Sequence, residues 1–168
     1  MKILVSACLL GVSCRYDGRD NGLRQLELIA REAELIPFCP EVYGGLPTPR
    51  EPSERSGDGV VSRSGRDVSL QFTKGAEEAV HLAELLGCKA AILKERSPSC
   101  GTHQIYDGTF SGVRIPGYGV TAEWLRRAGL QLFCEDELED CQKWMPGAKG
   151  GEQDVKGSGK GEPQLSRV

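Results

Sequence analysis

Seven cysteines are the residues of this 168-residue chain with the widest chemical potential. Two of them, Cys8 and Cys14, lie in the segment SACLLGVSCRYDG, directly after the short apolar run Ile3-Leu4-Val5. That run is too short for a secretory signal, which needs about 7–15 apolar residues, so the sequence predicts a cytoplasmic protein. An odd number of cysteines in a reducing compartment argues against a disulfide framework. It leaves buried thiols, a metal site or a reactive thiol.

The composition excludes several classes of function. The net charge is −3, with acids and bases mixed along the chain, which is unlike the basic footprint of a nucleic-acid-binding protein. No segment approaches the roughly 20 apolar residues that span a bilayer. The chain contains neither a GxGxxG nor a Walker A sequence, so a loop for nucleotide phosphates is unsupported. We therefore expect no nucleic-acid or membrane partner; the oligomeric state cannot be predicted.

The elements that must position the cysteines alternate between strands and helices. Short apolar runs predict strands at Lys2–Ala7, Leu35–Phe38, Lys89–Leu93 and Leu130–Phe133. Helical spacing of apolar residues predicts helices from Asp20 or Asn21 to about Glu34, from Thr73 to Leu86 and from Thr121 to Ala128. Residues 56–70 carry glycines between polar residues and predict a small hairpin about Ser64-Gly65 or a mobile excursion.

This alternation predicts an α/β fold with one domain over residues 1–144. The sheet is expected to be open, mostly parallel and doubly wound in the Rossmann-like manner, with helices on both faces in three layers. Residues 145–168 are rich in glycine and charged side chains and poor in apolar ones. Such a composition predicts a disordered tail.

Three cysteines follow predicted strands: Cys8 after the first, Cys39 after the second and Cys100 in the loop after the third. Ligands of open α/β sheets bind beyond the carboxyl ends of the strands, so these thiols are expected near one edge. Thiolates converging there suit a soft metal or an iron–sulfur cluster, although a free cysteine is often a small buried hydrophobe. Cys134 also ends a strand, and a fourth thiolate would close the site. Cys14 shares the first loop and could be a neighbour, a minor ligand or a redox partner.

Acids and hydroxyls accompany the three cysteines. Glu41 lies two residues after Cys39 and is either a general acid or base beside a metal or an ordinary solvated carboxylate. Ser97 and Ser99 precede Cys100 and could act there or cap the turn. A second group of charged side chains could bind a polar ligand or pair with one another: Arg50, Glu51 and Arg96. Two similar turns are expected to be structural: Tyr16-Asp17-Gly18 and Tyr106-Asp107-Gly108.

These residues form an ordered set of motifs that resembles a known family. The motifs are CLLG and CRYDG in residues 8–18, CPEVxGGLxxPR in 39–50, KxxSPSCG in 94–101 and GxGVTA in 117–122. Together they resemble the DUF523 family, whose studied members are thiouracil desulfurases. The resemblance covers about residues 1–140. Some relatives have a second, C-terminal domain where this chain has its Gly/Lys-rich tail.

The resemblance implies a 4Fe–4S cluster held by Cys8, Cys39 and Cys100, with the fourth iron free of protein ligands. It implies a non-redox reaction in which a thiolated pyrimidine such as 2-thiouracil becomes uracil and hydrogen sulfide. By motif position, Glu41 would transfer protons and activate water. Ser97 and Ser99 would position the substrate or relay protons.

Two other functions remain open at this stage. A non-catalytic module would hold zinc or a closed cluster on four cysteines that include Cys134. A thiol redox protein would use Cys8 and Cys14, but their spacing is not CxxC and does not match the thioredoxin arrangement. We therefore rank the redox function last.

Overall fold

A parallel four-stranded sheet organises the chain in the computed structural model, which describes residues 1–146. The strands in chain order are β1 (Lys2–Ser6), β2 (Glu34–Phe38), β3 (Ser53–Ser56), β4 (Gly59–Ser62), β5 (Ala90–Leu93), β6 (Gln104–Tyr106), β7 (Arg114–Pro116) and β8 (Gln131–Cys134). The α-helices are α1 (Leu26–Ile29), α2 (Pro40–Tyr43), α3 (Ser69–Leu86), α4 (Val120–Arg127) and α5 (Leu138–Trp144), and a 3-10 turn spans Ala7–Leu10.

The strand order of the sheet is β2-β1-β5-β8, and every pair is parallel. The chain moves from β1 to one side to form β2 and then crosses to the other side of β1 to form β5. A topological switch point therefore lies between β1 and β5, where α/β sheets bind ligands. The predicted α/β fold with a mostly parallel sheet is confirmed.

Helices cover both faces of the sheet, and neighbouring residues of each strand point to opposite faces. On one face, Ile3 and Val5 of β1 pack in a core with α1 and α5. On the other, Leu4 packs in a core with α3 and α4. All four residues of β5 are buried, as expected of a central strand in a three-layer fold.

The helix predicted over residues 20–34 is wrong in extent, since only the single turn of α1 is helical there. The preceding segment bonds to the first loop instead of to itself. The backbone N–H of Asn21 donates to the carbonyl of Cys8 at 2.8 Å, and that of Leu23 donates to Leu9 at 2.9 Å. These bonds join residues more than ten positions apart, which helical periodicity cannot foresee.

Helix α3 begins at Ser69 rather than near Thr73. The side chain of Asp67 accepts the N–H of Ser69 at 2.8 Å, and the hydroxyl of Ser69 accepts the N–H of Val60 at 2.9 Å. A neighbouring strand thus fixes the start of this helix, so Thr73 lies inside it.

Two antiparallel hairpins supplement the sheet, β3–β4 and β6–β7. The first turns at Gly57-Asp58, earlier than the predicted Ser64-Gly65, where the chain makes a turn closed by a bridge between Val61 and Asp67. The second was not predicted, since its strands are only three residues long. Within residues 1–146, no helix combines the length and apolarity needed to cross a bilayer. The tail predicted for 145–168 lies, from residue 147, outside the described residues.

Candidate metal centre and active site

A cavity of about 660 Å³ lies at the switch point, and four cysteines line it: Cys8, Cys14, Cys39 and Cys100. Cys8 lies in the 3-10 turn after β1, Cys39 follows β2 directly, and Cys100 lies in the loop after β5. The structure therefore brings together the three cysteines that the sequence selected, and adds Cys14.

Cys8 and Cys14 lie in the same loop as free thiols, and Cys14 influences the pKa of Cys8. A hydrogen bond with Cys14 lowers the pKa of Cys8 to about 7 against the opposing effect of burial, helped by Asn21 and by the charges of Lys94 and Arg15. The side-chain amide of Asn21 donates to the sulfur of Cys8 at 3.5 Å. The lowered pKa favours the thiolate of Cys8, which is the form that binds metals.

Cys39 lies on the other side of Cys14. Hydrogen bonding with Cys14 lowers the pKa of Cys39, and the backbone N–H of Val42 adds to this effect. The same bonds to Cys39 and Cys8, together with burial, raise the pKa of Cys14. The pKa of Cys14 is therefore shifted in the opposite direction to those of Cys8 and Cys39. The Cys39 thiol also donates to the backbone carbonyl of Cys14 at 3.8 Å.

Two glycines fix the place of Cys39. A Cβ on Gly75 of α3 would lie 2.0 Å from the carbonyl oxygen of Pro40, and a Cβ on Gly44 would lie 2.0 Å from that of Gln71. The backbone after Cys39 therefore rests directly on α3. Pro40 supplies a fixed φ at the first position of α2. This contact holds both Cys39 and Glu41 against the cavity.

Cys100 is held by the serines that precede it. The hydroxyl oxygen of Ser97 accepts the backbone N–H groups of Ser99 and Cys100, each at 3.1 Å. A Cβ on Gly119 would lie 2.4 Å from the carbonyl carbon of Ser99, so the start of α4 packs tightly against this loop. Burial raises the pKa of the Cys100 thiol, and the nearby thiols and Glu41 contribute in the same direction.

The two predicted serines have different surroundings. Ser97 lines the cavity. Ser99 is fully buried, and its hydroxyl lies 3.1 Å from that of Thr121, so it is not among the cavity residues. Its side chain joins the loop to α4.

Glu41 also lines the cavity and forms an ion pair with Arg50. The Arg50 Nε atom donates to Oε2 of Glu41 at 2.7 Å, and the two side chains are 5% and 15% exposed. A second nitrogen of Arg50 donates to the carbonyl of Cys14 at 3.1 Å. Glu41 is therefore an oriented carboxylate, not an ordinary solvated one. Arg50 lines the cavity, and its ion-pair partner is Glu41 and not Glu51, the acid of its predicted group.

Cys134 belongs to a different cluster. Its sulfur and the ligand atoms of Glu95 and His103 lie within 4.8 Å of one another, while Cys134 is not among the residues that line the large cavity. The two oxygens of Glu95 already accept four hydrogen bonds, from the backbone of residues 102–104 and from the Thr102 hydroxyl. These bonds occupy the lone pairs of the carboxylate, so we interpret Glu95 as the anchor of this loop.

The rest of the cavity wall was missed by the sequence interpretation. It includes Tyr16 and Tyr106 from the two turns expected to be structural, and Arg63 and Phe110 from the hairpins. The repeated Tyr-Asp-Gly sequence was the one signal that could have indicated that Tyr16 and Tyr106 line the cavity. Arg63 and Phe110 carried none, because they reach the cavity only through contacts between distant segments.

A family model described as 2-thiouracil desulfurase matches residues 3–137. The chain belongs to the 2-thiouracil desulfurase family. All the cavity-lining cysteines fall inside the matched range, and the resemblance drawn from the motifs is confirmed.

This desulfurase-family chain is also similar to individual proteins. It is 42% identical over 148 residues to an uncharacterized protein, YbbK, of Bacillus subtilis (strain 168), covering 82% of this chain and 98% of that one. Among solved structures it is similar to a [4Fe-4S]-dependent thiouracil desulfidase, TudS, with 51% identity and a TM-score of 0.80 over 83% of this chain and 93% of that chain.

Proposed function

We propose that this chain is an iron–sulfur enzyme that converts a thiolated pyrimidine such as 2-thiouracil to uracil and hydrogen sulfide. The observation that carries the proposal is the meeting of Cys8, Cys39 and Cys100, from three separate strand ends, in one cavity with an oriented carboxylate. The family assignment and the solved thiouracil desulfidase at 51% identity support it.

The residues fit a 4Fe–4S cluster. Thiolates are the usual protein ligands of such clusters, and the cavity presents thiols on three independent loops. Two of the proposed ligands, Cys8 and Cys39, have lowered pKa values. Burial raises the pKa of the third, Cys100. A bound metal deprotonates a coordinating thiol outright, so the raised pKa does not prevent Cys100 from serving as a ligand. The volume of about 660 Å³ lies within the range of about 300–1,000 Å³ typical of ligand and cofactor sites.

A cluster bound by three cysteines would supply one iron with an open coordination position, where a soft thione sulfur can bind and be polarised. We assign the proton chemistry to Glu41. Arg50 occupies its Oε2, and among residues 1–146 its Oε1 has no hydrogen-bond partner. That free oxygen can accept a proton from the water that attacks the thione carbon. Arg50 keeps the carboxylate aimed at the cavity during this transfer.

Ser97 serves as a hydrogen-bond donor to the substrate. A hydroxyl has one proton and two acceptor lone pairs. Two backbone N–H groups already use the acceptor capacity of Ser97, so its proton is the group left to face a ligand. Ser99, which is fully buried beside Thr121, supports the loop from behind.

The overall reaction is balanced without an electron donor. Water forms a new C–O bond at the thione carbon, the C–S bond breaks, and the two protons of water leave with the sulfur as hydrogen sulfide. Thiouracil and water therefore give uracil and hydrogen sulfide, with no net oxidation. A cytoplasmic location belongs to the same proposal, since all seven cysteines are free thiols and thiols persist in reducing compartments.

Anaerobic reconstitution tests this function. We expect about four irons per chain, a brown absorbance and release of sulfide and uracil from 2-thiouracil in equal amounts. Binding of zinc with no uptake of iron would support a non-catalytic metal module instead. Cluster uptake without sulfide release would retain the cofactor but reject this substrate. Reversible formation of a Cys8–Cys14 disulfide, with no metal bound, would favour a thiol redox protein.

A further inference from the structure

Phe110 has a strained backbone at the wall of the cavity. It lies in the loop 107–113 between β6 and β7, and its φ is +57°. Residues other than glycine, asparagine and aspartate seldom adopt this left-handed conformation. Such strain persists only where the surroundings enforce it, and it concentrates at functional sites. The ring of Phe110 remains partly exposed and lines the cavity.

A buried carboxylate enforces the strain. Oε2 of Glu54, in β3, accepts the backbone N–H groups of Gly108 and Phe110, each at 3.0 Å. Glu54 is 8% exposed, and it forms no ion pair within residues 1–146. Gly108 has a φ of +89°, and a Cβ there would lie 2.5 Å from the carbonyl of Arg55. The loop is thus pinned to the β3–β4 hairpin on both sides of Thr109.

Arg63, the residue directly after β4 of the same hairpin, contacts the aromatic ring of Phe110. Its guanidinium carbon lies 5.7 Å from the centroid of the Phe110 ring, within the range of a cation–π contact. Arg63 also lines the cavity. An aromatic ring held by its backbone and by a neighbouring cation is a pre-organised surface for a flat ligand.

We propose that Phe110 is a specificity-determining residue that stacks on the pyrimidine ring of the substrate, and that Glu54 is the residue that positions it. The inference rests on the proposed function and deepens it. The cavity would then select planar heteroaromatic thiones over open-chain thioureas, since an open-chain compound offers a C=S group without a ring to stack on. Base–aromatic stacking is effective with any base because every base has a π face.

The first test is Phe110→Leu in the reconstituted enzyme. From the usual strength of base–aromatic stacking, we expect the KM for 2-thiouracil and the Kd for uracil to rise about 5- to 100-fold. The kcat and iron content should stay within about twofold of wild type. Phe110→Tyr should behave as wild type. Tyr118→Leu is a matched control, since that exposed ring also carries an arginine, Arg126 at 5.0 Å, but lines a different cavity.

Thiourea probes whether the ring is what Phe110 recognises. Weak binding that Phe110→Leu leaves unchanged, or no binding even to wild type, is the expected result. A loss of thiourea affinity equal to the loss for uracil would overturn the stacking role, and so would an unchanged KM for 2-thiouracil. If the wild type bears its cluster but releases no sulfide, the proposed function fails. The Kd of uracil for wild type and Phe110→Leu then decides the stacking role by itself.

Glu54 is tested as a positioning residue. Glu54→Gln keeps a side-chain oxygen that can accept both N–H groups, so it should retain the wild-type KM. Glu54→Ala should raise KM as Phe110→Leu does, and should add nothing in the Phe110→Leu background, because both changes remove one interaction. Additive effects would overturn the positioning role. If Glu54→Ala does not fold, the Phe110 variants still decide whether the ring is stacked.

Discussion

Glu41 and Arg50 form an ion pair that is largely withdrawn from solvent at the cavity wall. A buried pair is costly to desolvate, and removing one partner leaves an uncompensated charge. Its value at this position is geometric, because Arg50 also bonds to the carbonyl of Cys14. One arginine therefore fixes the carboxylate relative to the first cysteine loop.

Replacement of Glu41 by glutamine should separate catalysis from cofactor binding. The variant keeps the size of the side chain and can still bond to Arg50, but its amide is a poor base. We expect iron content and absorbance to match wild type while sulfide release falls by about 10²–10⁴-fold. Glu51→Gln is the control, because Glu51 is exposed and does not line the cavity. Loss of the cluster in Glu41→Gln would make Glu41 a structural residue.

The cysteines should divide into two classes when each is changed to serine. Changes at Cys8, Cys39 and Cys100 should abolish stable cluster binding. Cys14→Ser should keep about four irons, because serine also donates a hydrogen bond to the flanking sulfurs. Cys134→Ser should keep them because Cys134 is outside the cavity. Iron and sulfide analysis after anaerobic reconstitution measures this, and loss of iron in Cys14→Ser would add a fourth ligand.

At the scale of elements, the loop after β5 is built around a buried anion. Glu95 accepts four hydrogen bonds that fix residues 102–104, the segment that leads from Cys100 into β6. Burial alone would raise the pKa of Glu95, but the bonds from Thr102, Gln104 and His103 lower it. The folded protein thus prefers the carboxylate more strongly than the unfolded chain does.

Glu95→Gln should therefore destabilise the fold in a pH-dependent way. An amide cannot accept all four bonds, so we expect a loss of roughly 1–3 kcal/mol near pH 7. A lowered folded-state pKa contributes stability above the unfolded pKa of about 4.3, and that contribution is lost as pH falls through the folded value. The difference between wild type and variant in urea unfolding should thus shrink below about pH 5. A difference that stays constant down to about pH 3 would contradict this account, because that range extends below the unfolded pKa.

The elements that sequence patterns predicted are those whose own residues carry the pattern, either a short apolar run or the helical spacing of α3 and α4. The β5 strand, Ala90–Leu93, is buried on both faces and was recognised as a short apolar run. The segment before α1 was misread because its N–H groups bond to the first loop. The candidate ligands were found because they follow strands. The ion pair of Arg50 with Glu41 and the position of Phe110 at the cavity wall were not predicted, since both depend on tertiary packing.

At the scale of the molecule, the proposed ligands come from three loops that share one sheet edge but are distant in sequence. Binding a cluster would cross-link β1, β2 and β5 at their carboxyl ends. A ligand that binds only the folded state stabilises it. The stabilisation by the cluster should be largest in the three loops and small in the strand centres, which are already buried.

Hydrogen exchange should show this distribution. Removal of iron by a chelator under anaerobic conditions should speed amide exchange in residues 8–14, 39–44 and 96–101 together, and lower the unfolding temperature. The centre of β5 should change little until global unfolding. Faster exchange in only one of the three loops would indicate that the cluster is not shared among them.

The double acceptance at the Ser97 oxygen has a consequence for how the cavity distinguishes related bases. A hydroxyl whose lone pairs are both occupied cannot switch between giving and taking a proton. In the role proposed for Ser97, the hydroxyl would distinguish tautomers and ring substituents of a base by their acceptors. A base edge with a carbonyl, a thione or an unprotonated ring nitrogen at that point satisfies it. An edge with an amino group there leaves two donors facing each other.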